Sequence, residues 1–228
     1  MGEFAEKLTE ELNVEKVFTI PVFGGIDISE SVVVTWGIIA FFIIFSIIIT
    51  RKLKVENPGR GQLALEAAVT GLQNVVSNIL GKEGGNYVPF LTSILIFVGV
   101  ANLVGIAGFK PPTKDLNVTA ALALFSIFLI EFAGIRKKGV FKWVKSFAKP
   151  LPVMTPINIL ELFTRPLSLC MRLFGNVLGA FAVMKLIEAV LPVGLPVIFG
   201  VYFDVFDGLI QAYVFVFLTG LFISEQLE

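Results

Sequence analysis

Arg165-Pro-Leu-Ser-Leu-Cys-Met-Arg172-Leu-Phe-Gly175-Asn176 sets a guanidinium inside a stretch that is otherwise membrane material. Arginine cannot escape the problem by giving up its proton. Holding the charge at bilayer depth costs roughly 2.5–3.5 kcal/mol on insertion scales. A charge retained at that cost is a functional hypothesis by default, and its natural task is to attract a buried anion. The surrounding residues decide the fold. About Ile157–Val190 reads as one long apolar helix and about Pro196–Ser224 as a second, joined by Leu191-Pro-Val-Gly-Leu-Pro196. Each can exceed the length an upright span needs, so both must tilt, kink or protrude. Thr155 before Pro156 supplies a helix start, with Thr as the cap and Pro at the first helical position.

Composition agrees. Apolar residues make up 56% of the 228 positions, 23 of them Phe, and the mean hydropathy is +0.87. A soluble domain has too little interior to hide that surface, so the bilayer is the expected solvent. Net charge is zero but unevenly spread. Residues 1–31 carry Glu3, Glu6, Glu10, Glu11, Glu15, Asp27 and Glu30 against Lys7 and Lys16. Basic residues gather after apolar spans instead, at Arg51, Lys52, Lys54 and Arg60, and from Arg136 to Lys149. That placement speaks for membrane topology rather than nucleic acid. There is no His, so the usual neutral-pH proton relay and the commonest metal ligand are missing. The lone Cys170 excludes an internal disulfide. The first thirty residues show no basic stretch followed by an apolar run, so no cleavable signal peptide is expected.

Upstream of the long helices, spans are expected at about Ser31–Thr50, Val88–Gly108 and Leu116–Ile135. Lys110-Pro-Pro-Thr-Lys-Asp115 breaks the chain between the last two. Residues 61–80 have helical spacing but include Glu66, Gln73 and Asn74, which predicts an interfacial or protein-packed helix. The fold class is therefore an all-α polytopic membrane protein. It has about five membrane helices plus an amphipathic segment, and its last two helices form a long tilted hairpin. Residues 1–30 read as an extracytoplasmic segment, and 31–228 as one membrane domain whose hairpin spans about 157–224. Counting basic residues places the N-terminus outside and the C-terminus in the cytoplasm.

At 100° per residue, Glu161, Arg165, Ser168, Gly175, Asn176 and Gly179 all fall within about 60° of Arg172. This face is polar and small, and its glycines let another surface approach the backbone. On the final helix, Asp204, Asp207 and Gln211 stand at i, i+3 and i+7. Two carboxylates and an amide opposite an arginine stripe form either a buried network or an ion path, and a carboxyl so placed can take up and release a proton. Plainer roles exist. Glu161 and Arg165 fit an i, i+4 salt bridge, and Lys185 with Glu188 a local pair or snorkelling charges. Glu131 fits a solvated or interfacial charge. For Arg172 itself, an ion pair with Asp204 or Asp207 is the structural alternative, disfavoured by its burial cost.

The run from Arg165 to Asn176 resembles the signature of subunit a of F-type ATP synthases. Gln211-Ala-Tyr-Val-Phe-Val-Phe-Leu-Thr219 is similar to that family's final-helix motif, and Pro112-Thr-Lys-Asp-Leu-Asn-Val-Thr119 to its loop into the third span. The likeness covers most of the chain from about residue 88. It implies a stator subunit, without chemistry of its own, packed against a rotating ring of c-type subunits and held by peripheral-stalk b-type subunits. Arg172 would then face the ring carboxylate between two aqueous half-channels, with Asn176 and Gln211 as polar partners. Asp204 would stand where the family usually has an acid or a histidine in the outer half-channel. Asp115 and Asn117 would lie near that channel's mouth, and Glu161 and Ser168 are further candidates for a half-channel mouth. Many members carry an ionisable residue nine positions after the arginine, whereas this chain has Phe181, which makes Asp207 the candidate substitute. No cofactor or metal is implied, the coupling ion stays open between H⁺ and Na⁺, and a bacterial plasma membrane is the expected location. A self-contained ion-coupled transporter is the alternative, but paired repeats and matching broken helices are not evident. An intramembrane enzyme is a poor fit with no His and one unpartnered Cys.

Overall fold

The computed structural model describes residues 16–20, 26–51, 53–54, 58–107, 109–147, 155–190 and 199–227. Six helices among them are long and apolar enough to cross a membrane, which makes the chain an all-α multi-pass membrane protein. They comprise the five expected spans and the amphipathic segment. We label the helices α1 (Glu30–Thr50), α2 (Arg60–Leu80), α3 (Val88–Leu103), α4 (Leu116–Lys138), a short α5 (Val140–Ser146), α6 (Thr155–Val190) and α7 (Gly208–Leu227). A π turn, Tyr202–Asp207, leads into α7, so the last candidate span runs Phe199–Leu227.

Several boundaries have a local cause. The carboxylate of Asp115 caps α4, its Oδ1 accepting the Asn117 N–H at 2.9 Å. Gly139 ends α4 at φ +79 and Gly81 ends α2 at φ +66, backbone conformations that suit glycine. The last turn of α4 carries Arg136, Lys137 and Lys138, where positive charge opposes the helix dipole. In α6, 36 residues correspond to about 54 Å, well beyond a hydrocarbon core of about 30 Å. Pro166 interrupts its hydrogen-bond ladder without ending it. Residues 151–154 and 191–198, which include the Pro-rich linker of the expected hairpin, lie outside the described residues.

The apolar face of α1 lies almost uncovered, with Trp36, Phe41, Ile44 and Ile48 all about half exposed or more. That is the expected outside of a lipid-facing span, where backbone groups are satisfied within the helix and the side chains need no partner. The core gathers around α7. Phe215, Val216 and Ile223 are buried together with Leu91 and Val98 of α3, Ile130 of α4 and Val76 and Leu80 of α2. Lipid tails are as apolar as leucine, so close approach and dispersion must hold these helices together. Small residues make that approach possible. A Cβ on Gly220 would come 2.9 Å from the Ile79 Cγ2 of α2, and one on Gly134 would lie 2.8 Å from the Gln226 Oε1 of α7. Helix α2, expected as interfacial or protein-packed, does pack against α3 and α7, and at 1.2 it has the lowest mean hydropathy of the six.

One element was not anticipated. Lys16–Ile20 and Ile26–Ser29 form a two-stranded antiparallel sheet in the segment expected only to lie outside the membrane. It ends where α1 begins, and Ser29 Oγ donates to the Asp115 Oδ2 at 3.1 Å. This ties the start of α1 to the cap of α4.

Candidate functional site

Helix α6 lies on α4 through Leu169, Cys170 and Leu173, which are buried, with Thr119 Oγ1 3.7 Å from the Cys170 sulfur. That contact turns the opposite face outward. Arg172 is partly buried, whereas Gly175, Asn176 and Gly179 are exposed, and a Cβ on either glycine would meet nothing within 4 Å. Among the described residues Arg172 makes no hydrogen bond or ion pair, so the pair with Asp204 or Asp207 weighed above is not formed. One turn on, Asn176 Nδ2 donates to the Gln211 Oε1 at 2.5 Å, joining the arginine face of α6 to α7. Gln211 is buried, and its Nε2 has no partner among the described residues.

Cavities that carry charged and amide side chains lie on both sides of this joint along α6. One, of about 370 Å³, is lined by Phe181 and Lys185 of α6, by Asp204, Asp207 and Gln211, and by Asn102, Lys110 and Lys114. Both aspartates and Gln211 line it together, as their stripe suggested. The other, of about 220 Å³, is lined by Asn158, Glu161 and Arg165 of α6, Glu131 of α4 and Glu225 and Gln226 of α7. On α6 the first begins at Val177 and the second ends at Arg165, so Arg172 sits between them in sequence. Both volumes are large enough for several waters at about 30 Å³ each.

In the first cavity the π turn displaces the aspartates from an ideal α-helical stripe. Asp204 lies against bare backbone, since a Cβ on Gly105 would fall 3.1 Å from its Oδ1. Among the described residues neither Asp204 nor Asp207 has a hydrogen bond or an ion pair. Phe181 is not alone in its position. The Lys114 ammonium stands 3.5 Å from the centre of its ring and that of Lys185 5.7 Å. Lys110 pairs with Glu30 at 3.2 Å on the cavity's rim.

The second cavity contains the expected i, i+4 salt bridge, Glu161 to Arg165 at 2.9 Å, and Arg165 also binds Glu225 at 3.1 Å. Glu131, expected as a solvated or interfacial charge, is half-buried and accepts the Trp143 indole N–H at 2.8 Å. Sequence reasoning did not single out Glu225, Asn158 or Gln226, which face this space from distant parts of the chain.

The remaining candidates lie elsewhere. Asp115 is buried at the cap described above, and neither it nor Asn117 lines the aspartate cavity. Asn117 borders an apolar groove between α1, α3 and α4 instead. Ser168 is exposed on α6 and lines neither the first nor the second cavity. The Glu188 side chain, proposed as the partner of Lys185, lies outside the described residues. Among the described residues no group of three acidic, Cys or His side chains gathers as a metal site.

A bundle of membrane-length helices, with an arginine that has no partner among the described residues and a cavity on either side of it along α6, defines a polytopic membrane protein. Comparison with known proteins narrows this. The family model described as ATP synthase A chain matches residues 32–224. ATP synthase subunit a of Geobacter sulfurreducens is 36% identical, over 99% of this chain and 95% of its own. Subunit a of Moorella thermoacetica is 37% identical, over 89% and 92%, and ATP synthase subunit a 2 of Acaryochloris marina 33%, over 89% and 87%. The chain belongs to the ATP synthase subunit a family.

Proposed function

We propose that this chain is the ion-translocating stator subunit of an F-type ATP synthase, and that its two cavities belong to two half-channels meeting at Arg172. The observation that carries the reading is their arrangement on either side of Arg172, at a face of α6 that the chain leaves uncovered. A helix of the rotating ring packs on that face, where Gly175 and Gly179 admit close approach and Met171 is exposed beside them.

The ring carboxylate is ionised as it reaches Arg172, because a fixed guanidinium stabilises the anion. Its ion leaves into one cavity, and the next carboxylate to turn away from Arg172 is reloaded from the other. Asp204, Asp207 and Gln211 conduct ions through the first cavity, and Glu161 stands at the second. The same positive charge prevents a cation from passing straight between the cavities. Each elementary charge crossing the membrane releases about 2.3 kcal/mol per 100 mV, and several ions together drive ATP formation. The chain performs no chemistry itself. Peripheral-stalk b-type subunits hold it against the torque. Its membrane is the bacterial plasma membrane, with the N-terminus outside and the C-terminus in the cytoplasm, and residues 31–228 act as one domain.

The test is ATP-driven ion uptake by the assembled complex in vesicles. Arg172→Ala should abolish uptake while the complex still assembles, and normal pumping in that variant would sink the assignment.

A further inference from the structure

Asn102 is a polar residue placed near the C-terminal end of α3, in an otherwise apolar run, and it is buried. Its Nδ2 donates to the Gly208 carbonyl at 2.8 Å, and its Oδ1 accepts the Thr113 hydroxyl at 2.7 Å. Thr113 is itself buried, next to Lys114 in the loop between α3 and α4. Gly208 closes the π turn, its N–H reaching the Phe203 carbonyl five residues back. The tie therefore links the end of α3, the α3–α4 loop and the joint between the π turn and α7. The last of these carries Asp204 and Asp207.

Two glycines show how closely the parts fit. A Cβ on Gly208 would lie 3.0 Å from the Asn102 Cβ, so a side chain there would crowd the amide at its acceptor. One turn along α3's continuation, Gly105 leaves room for the Asp204 carboxylate. π turns interrupt the regular ladder, occur often at functional sites, and persist where surroundings hold them. A buried amide with both ends engaged is such a surrounding.

We propose that Asn102 is a positioning residue for ion transfer. Anchored by Thr113 and acting through the Gly208 carbonyl, it holds the π turn in the register that aims Asp204 into the cavity. The proposal rests on the reading of Asp204 as an ion-path residue. Asn102→Leu has similar bulk and makes neither hydrogen bond. In the assembled complex it lets the turn relax towards a regular helix and displaces the carboxylate. Misplacing a reacting group by about 1 Å costs up to about a hundredfold in rate, so a fall in ATP-driven ion flux of at least about tenfold is expected.

The experiment is a double-mutant cycle between Asn102→Leu and Asp204→Asn, reading ion flux per assembled complex in vesicles, with Thr92→Val as a control on the same helix. Thr92 is also buried and bonds only its own helix, at the Val88 carbonyl. Asn102→Leu should lose flux at normal complex yield, and adding it to Asp204→Asn should cost little more. The carboxyl infrared band that Asp204→Asn removes should also shift in Asn102→Leu. Losses that multiply, wild-type flux or an unmoved band would each overturn the proposal. If Asn102→Leu does not assemble, Gly208→Ala takes its place in the same cycle with the same expectations. If Asp204→Asn and Arg172→Ala both pump normally, the ion-path reading itself has failed. If Arg172→Ala does not pump, Asp204→Asn keeps only a reduced flux and the two losses multiply, only the role of Asn102 is lost.

Discussion

Asp115 offers a sharp separation of structural from conducting roles. Its Oδ1 accepts the Asn117 N–H at 2.9 Å and its Oδ2 the Ser29 hydroxyl at 3.1 Å, with the residue 1% exposed. Asp115→Ala removes the cap, at about 1 kcal/mol. It also strands the Ser29 hydroxyl in a part-buried site, at about 1–2 kcal/mol more. Together these amount to about 2–3 kcal/mol for opening the first turn of α4, or roughly 30- to 150-fold in its local equilibrium. Asp115→Asn keeps an oxygen for the Asn117 N–H, and its amide donates to a Ser29 hydroxyl that has only to rotate. Hydrogen exchange on the purified complex should show the Asn117 amide exchanging roughly 30- to 150-fold faster in Asp115→Ala, and within about threefold of wild type in Asp115→Asn. Ion transport should survive in the Asn variant. Transport lost in Asp115→Asn with protection intact would refute the reasoning, because the charge would then serve the ion path.

Three further expectations follow from the packing and the cavities. Gly220→Ala sets a methyl 2.9 Å from the Ile79 Cγ2, and overpacking of that kind costs about 1–3 kcal/mol. The complex should melt at a lower temperature, and an unchanged melting curve would show that α2 yields freely. Asp204→Asn should slow ion transport strongly, whereas Asp207→Asn should do so only if Asp207 stands in for the acid absent at Phe181; vesicle uptake distinguishes the two. Lys185→Gln should be mild, since Lys114 stands closer to the Phe181 ring, and a severe transport defect would assign Lys185 to the path.

The parts of the fold legible in the sequence were those governed by local rules. Apolar runs marked the spans, Pro111-Pro112 the break between α3 and α4, and a 100° wheel brought Asp204, Asp207 and Gln211 to one cavity. The same wheel set Asn176 on the Arg172 face, where it meets Gln211. What escaped depends on contacts between distant segments or on weak local signals. Asn102 was not singled out, because Gly208, its partner, lies 106 residues away. Periodicity assumes a regular helix, so it cannot register the π turn that carries both aspartates. Phe181 was recognised as a missing acid, but the lysine above its ring comes from the loop before α4. The strand pair before α1 had only short runs to announce it, and residues 21–25 between the strands lie outside the described residues. Asp115 in front of an apolar run carried the pattern of a helix cap, and the family resemblance drew attention to a channel mouth instead.

The most direct measurement of the central claim is ATP-driven ion uptake into vesicles carrying the assembled complex, wild type against Arg172→Ala, with and without Na⁺. The account expects uptake to vanish in the variant at normal complex yield, and the Na⁺ dependence of the wild type to name the ion. Undiminished uptake by Arg172→Ala would make the arginine a structural charge and contradict the account.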